Sequence, residues 1–161
     1  MTIAESSDTP QAGAVQSQQQ RYIATQLGQL TLLFPSRLVT ETLLIERSRI
    51  LALPFYDSAV LGCFHHAGQL VPLVVTQQVM GMRSSFTREV LTVVRLSEFA
   101  ENFAGLGLIV DRVLGSRTEE QLPSELFETQ QDSQASLSEA IQVFQPQLLN
   151  SQSFQPQRWQ S

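Results

Sequence analysis

The sequence predicts an all-β fold, a small barrel or sandwich, and three observations carry that prediction. Short runs rich in Val, Leu, Ile, Phe and Thr recur between residues 21 and 117, glycine or proline separates most of them, and no long amphipathic helical period interrupts the window. With 161 residues and 18.0 kDa, the chain is long enough for one domain with a real core.

Taken in order, residues 1–20 are rich in Gln, Ser, Ala and Thr, offer little that could pack, and are expected to form a disordered tail. RYIATQL (21–27) alternates as a strand, Gly28-Gln29 can turn the chain, and LTLLF (30–34) returns as a second strand ending at Pro35. Residues 39–46, VTETLLIE, could be helical by Leu and Glu or extended by Val, Thr and Ile. The β-branched residues and the preceding hairpin favour a strand. Pro54 makes ILALPFYDS (50–58) a loop.

Val60–Gly81 then reads as a strand, a tight turn at Ala67-Gly68, a second strand ended by Pro72, and a short helical turn closed by Gly81. After a polar connector, REVLTVVRL (88–96) is a strand, SEFAENFAG a partly helical turn, and GLIVDRVLG (107–115) a single further strand. From Ser116 the character changes, and TEEQLPSELFETQQDSQAS (118–136) is acidic and Gln-rich and reads as a helical turn or loop. Ser136 and Glu139 have capping-box spacing, but Pro146 stops the following IQVF, so a short helix and a strand remain equal alternatives. In the tail 150–161, Phe154 and Trp159 stand in a polar setting and are expected to dock back onto the body.

Composition narrows the function classes. The net charge of −5 is concentrated at the ends, because residues 21–117 carry nine arginines against seven carboxylates. A nearly neutral body lacks the cationic face that nucleic acid requires, and a chain without lysine has no polybasic cluster for anionic lipid. No apolar run is long enough to insert into a bilayer, and the N-terminus has no signal-peptide pattern. The single Cys63 sits in an apolar run, as a small buried hydrophobe would, and a reducing, cytoplasmic setting fits.

Catalytic chemistry finds little footing. His65 and His66 are adjacent on a strand and so point to opposite faces, which prevents them from gripping one metal ion together. Glu41 and Glu46 also face opposite sides, and no nucleophile elbow, phosphate loop or paired-cysteine motif occurs. Asp111, an acid within an apolar strand, reads as a strand-end residue bonded to backbone or to an arginine. With no base, nucleophile, metal or cofactor site, the residues point to a binding protein and not to an enzyme.

The motif spacing adds a resemblance. Gly62, Gly68, Pro72-Leu73-Val74 and Gly81 resemble the signature of the CheW-like domain of bacterial chemotaxis coupling proteins, roughly G-V-x-N-L-R-G-x-x-x-P-V-x-D-L followed by a short helix ending in Gly. Val110-Asp111-Arg112-Val113 resembles the family's second hallmark, RYIATQLGQLTLLFP its opening hairpin, and Glu41 in VTE its third strand. The likeness is dense over 21–115 and sparser over 116–149, within a domain of 21–149. It implies two SH3-like five-stranded β-barrels with short helical turns, the second either trimmed or completed by the tail in another way.

The resemblance also implies an adaptor joining a methyl-accepting chemoreceptor-like protein to a CheA-type histidine kinase, with relatives in phototaxis and in pilus-driven twitching. It places partner contacts at Val39, Glu41, Gly62, His65, His66, Ala67 and Gly68, with Pro72, Gly81 and Asp111 as structural residues. Two polar positions of the family pattern differ: its contact arginine is Ala67 here and its acid is Val75.

Overall fold

In the computed structural model, which describes residues 19–54, 56–84, 87–127 and 141–149, the alternating run at the start of the body becomes strand β1 (Arg21–Leu27). It pairs antiparallel with β2 (Leu30–Pro35) around a turn at Gly28-Gln29. The ambiguous segment is a strand, β3 (Val39–Glu46), paired with β6 (Val90–Leu96). The hairpin of β4 (Val60–His66) and β5 (Gln69–Val75) leads into a single helical turn, α1 (Thr76–Val79), and a 3-10 segment (Glu98–Phe103) follows β6. The remaining strands are β7 (Gly107–Val110), β8 (Arg112–Thr118) and β9 (Ile141–Val143).

These strands form two curled sheets of the SH3-like barrel type, one of five strands in the order β3-β6-β7-β5-β4 and one of four in the order β8-β1-β2-β9. Among the described residues the second sheet therefore has four strands and not five. Its last member settles the open alternative for IQVF: β9 lies parallel to β2, Phe144 N–H donates to the Leu33 carbonyl at 2.7 Å, and the Phe144 ring packs 4.7 Å from that of Phe34. The unpaired carbonyls of the β2 edge offered hydrogen bonds that a three-residue helical start could not match.

Three apolar clusters explain the sequence pattern. Ile45, Phe64, Val71, Leu73, Val75, Leu91, Val93 and Ile109 fill the five-stranded barrel. Leu27, Leu32 and Phe34 of one sheet meet Val74, Val94, Leu96, Leu108 and Val110 of the other in the core between the sheets. The central strands β5, β6 and β7 are thus buried on both faces, and this is why they read as continuous apolar runs without alternation. Tyr22, Ala24 and Leu33 form a smaller third cluster under Leu122, Leu126 and Phe127.

Two further expectations need correction. GLIVDRVLG is not one strand, because the chain leaves the five-stranded sheet after Val110 and joins the four-stranded one at Arg112. Asp111 is the corner. Its carboxylate accepts the Gly28 N–H at 2.6 Å and the Gln77 amide at 3.2 Å, its own N–H donates to the Gln26 carbonyl, and its carbonyl accepts from Arg88. Its partners are therefore backbone and an arginine, as expected, but also a glutamine from α1.

Pro72 does not end its strand; β5 continues to Val75. Pro72 stands opposite Cys63, which exchanges both of its backbone hydrogen bonds with Leu51 on the far side. The Cys63–Pro72 pair is therefore a non-hydrogen-bonded one, and the missing N–H of proline would have faced away from β4, where the β7 pairing begins only at Leu73. The Ser136–Glu139 spacing, most of the N-terminal tail, and Phe154 and Trp159 lie outside the described residues.

Candidate functional site

Alternation along four strands of the five-stranded barrel brings four polar side chains to one end of its interior. On β3, Leu43 and Ile45 face the core and Glu41 continues their row; on β6, Leu91 and Val93 do so and Arg95 follows; on β5, Val71, Leu73 and Val75 are preceded by Gln69; on β4, Phe64 is followed by His66. Each is the last inward residue of its row, so together they cap the mouth of the barrel.

Arg95 donates to Glu41 Oε1 at 3.0 Å and also to the side-chain oxygen of Gln69, while His66 Nε2 lies 3.2 Å from the same Glu41 oxygen. The Arg95 side chain is only 14% exposed, and its stem covers the apolar layer below. The His66 ring lies 5.8 Å from that of Phe64, the first residue of that layer, tilted by 42°. Glu41 and Arg95 neutralise each other, and the set holds no nucleophile. The four side chains form a connected arrangement of hydrogen-bond donors and acceptors at the barrel rim.

The sequence expectations map onto this mouth unevenly. Glu41 and His66 come together there, and His65 points outward, opposite the exposed Leu70. Val39 parts from Glu41, because a bulge at Thr40 pairs Val39 with Leu96 and Glu41 with Arg95. Val39 therefore packs against the core between the sheets. Arg95, Gln69 and Leu70 were not singled out from the sequence, although the period-2 alignment of Arg95 with Leu91 and Val93 was a usable signal.

The turn joining β4 to β5 has positive φ at both central residues, 48° at Ala67 and 77° at Gly68, as a two-residue type I′ hairpin loop requires. Gly62 has a different reason. A Cβ there would lie 2.2 Å from the Leu51 carbonyl oxygen, because the strand-like bridge between Leu51 and Cys63 runs directly over it. Gly81 ends the α1 turn at φ 72°, and Asp111 sits at the inter-sheet corner already described. Among the described residues no group of three or more His, Cys, Asp or Glu side chains could hold a metal ion, and no helix is long and apolar enough to cross a membrane.

A separate, largely apolar groove of about 310 Å³ opens between β4–β5 and the Glu98–Phe103 turn. Leu53, Tyr56, Val60, Pro72, Phe103 and Leu106 line it.

The CheW-like domain matches residues 21–149. Among solved structures, the scaffolding protein TtCheW from Thermoanaerobacter tengcongensis is similar at 15% sequence identity with a TM-score of 0.49, the likeness covering 62% of this chain and 65% of that one. The chain thus spans slightly under two-thirds of the length of that protein. No curated protein matches it. With most of its length, residues 21–149, matched by the CheW-like domain, the chain belongs to that family.

Proposed function

We propose that the chain is a cytoplasmic, non-enzymatic adaptor that couples a methyl-accepting chemoreceptor-like sensor to a CheA-type histidine kinase in motility signalling. The family match along residues 21–149 carries this reading. The kinase docks on the five-stranded barrel around Glu41, with Val39 supporting the strand from beneath. The receptor meets the β4–β5 turn, where His65, His66, Ala67 and Gly68 stand beside Gly62.

The barrel mouth supports the placement, because Glu41 is held by Arg95 and His66 in one orientation before any partner arrives. A group already ordered loses little freedom on docking. Purified chain is expected to retain the CheA-type kinase of the same genome in a pull-down, with Glu41→Gln weakening retention. Recovery of no kinase by the native chain would overturn the proposal.

A second reading has its own observation. Ala67 stands where the family pattern has its contact arginine, which favours a member that no longer couples receptors and instead binds a pilus or array component, as phototaxis or twitching systems would use. Ala67→Arg separates the two. Gained receptor binding favours an adaptor whose receptor coupling has decayed, and unchanged binding favours a different partner.

A further inference from the structure

A strand at the edge of a sheet turns the N–H and C=O of every second residue away from its neighbour, and natural chains usually guard such edges. Among the described residues three of the four edges are guarded. On β8, the Thr118 N–H donates to Gln121 Oε1 at 3.0 Å and the Ser116 carbonyl accepts from Arg117 at 3.0 Å. The edge strand β9 has three residues and is soon followed by Pro146, and β4 is covered at Cys63 by Leu51. By contrast, β3 has eight residues and pairs with β6 alone.

The bond from Arg47 N–H to the Glu89 carbonyl sets the phase of that pairing. Glu41, Leu43 and Ile45 exchange their backbone bonds with β6, whereas Thr42 and Leu44 turn theirs outward, where no described group bonds to them. The strand carries no lysine or proline, its bulge lies at the Val39 end, and its one inward charge, Glu41, is neutralised by Arg95. Its outer face is apolar at the centre: Leu44 is 73% exposed, and Val90, diagonal to it on β6, is 47% exposed. We propose that this edge pairs antiparallel with the same edge of a second copy of the chain, Leu44 meeting its own counterpart on the two-fold axis. In that register Thr42 lies opposite Glu46 on both sides of the axis and no like charges face each other. Sliding the pair towards the C-terminal end sets Glu46 against its own counterpart, and sliding it the other way sets Leu44 against Thr40 at the bulge. The pairing does not rest on the adaptor reading. On the placement proposed above, however, it occupies the side of the barrel where the kinase docks, so kinase and second copy compete for it.

One short strand pair buries little area, so the dimer belongs to the weak, transient class, with a dissociation constant on the order of 100 μM. Sedimentation of the full chain should give a mass near 18.0 kDa at about 10 μM and a mass approaching twice that at about 1 mM. Hydrogen exchange locates the contact: the Leu44 amide should exchange freely at the low concentration and slow at the high one, while the Leu43 amide, bonded within the sheet, is protected at both. Leu44→Lys sets like charges on the axis at a position too exposed to disturb folding and should weaken pairing about tenfold or more. Thr42→Lys sets opposite charges across the axis from Glu46 twice over and should tighten pairing about threefold. A monomer at about 1 mM, a dimer that Leu44→Lys leaves intact, or a Thr42→Lys chain that pairs no more tightly than the native one would each overturn the proposal.

Discussion

Gly62→Ala is the substitution whose effect can be worked most directly from the geometry. An added Cβ would lie 2.2 Å from the Leu51 oxygen, 2.9 Å from its carbonyl carbon and 3.0 Å from Ile50 Cγ2. Ordinary carbon–oxygen contact begins near about 3.3 Å, so Leu51 must retreat by roughly 1 Å. Such a retreat breaks the paired bonds Leu51 N–H to Cys63 O at 2.8 Å and Cys63 N–H to Leu51 O at 2.9 Å. Two backbone hydrogen bonds contribute about 1 kcal/mol each, and forcing an alanine to the positive φ of this position costs about 1 kcal/mol more. The expected loss is about 3 kcal/mol, measurable as a lower urea midpoint by far-UV circular dichroism, together with faster hydrogen exchange at the Leu51 and Cys63 amides. A variant within about 0.5 kcal/mol of the native chain, with both amides still protected, would refute the reasoning. The same retreat shifts Leu53 and Tyr56, so any loss of partner binding in this variant is structural and does not make Gly62 a contact residue.

Other perturbations test the remaining parts of the argument. Ala67→Gly should raise the urea midpoint by about 0.5 kcal/mol equivalent, since relief of roughly 1–2 kcal/mol of left-handed strain outweighs glycine's greater unfolded freedom. Asp111→Ala removes a charge-assisted bond to the Gly28 N–H, so a loss of about 2 kcal/mol is expected, with exchange at the Gly28 amide accelerating first. A double-mutant cycle on Glu41→Gln and Arg95→Met should give a coupling of about 0.5–1 kcal/mol that shrinks in high salt, as for a partly exposed ion pair. Burial, and secondarily the Glu119 carboxylate, raises the Tyr22 phenol above its ordinary value of 10.0. The unfolded chain therefore releases this proton first, and stability should be flat in this group below about pH 9 and fall by up to about 1.4 kcal/mol per pH unit above pH 10. Tyr22→Phe should remove that component of the alkaline decline in a urea series against pH.

The sequence carried the hairpins well because their signals are local. Alternation in RYIATQL, the glycine turn after it, and the His65–Gln69 segment each specify a strand or turn within a few residues. What it concealed was sheet membership. GLIVDRVLG has the apolar content of one long strand, and only the carboxylate of Asp111 reaching Gly28 and Gln77 from other elements divides it between two sheets. The strand fate of Ile141–Val143 was equally undecidable, because it depends on a β2 edge more than a hundred residues earlier in the chain. The barrel-mouth cluster was half legible for the same reason: Glu41 and His66 stood out as polar residues on apolar strands, but nothing local shows that β3 and β4, at opposite edges of the sheet, bring them within 3.2 Å through its curl.

The turn at Ala67-Gly68 shows how the structure sharpens the functional question. Its shape is set by positive φ at both residues, and alanine and arginine, both carrying a Cβ, meet the same left-handed strain at position 67. Glycine or asparagine would suit the turn better than either, so the backbone gives no reason to prefer alanine over the family's arginine. Ala67→Arg should therefore leave the urea midpoint within about 0.5 kcal/mol of native, the range of a surface change remote from packing. Because the turn projects beyond a mouth already neutralised by Glu41 and Arg95, an arginine added there would present its charge outward to a partner instead of being absorbed by the cluster. A change in receptor binding by this variant, at unchanged stability, would report contact chemistry alone.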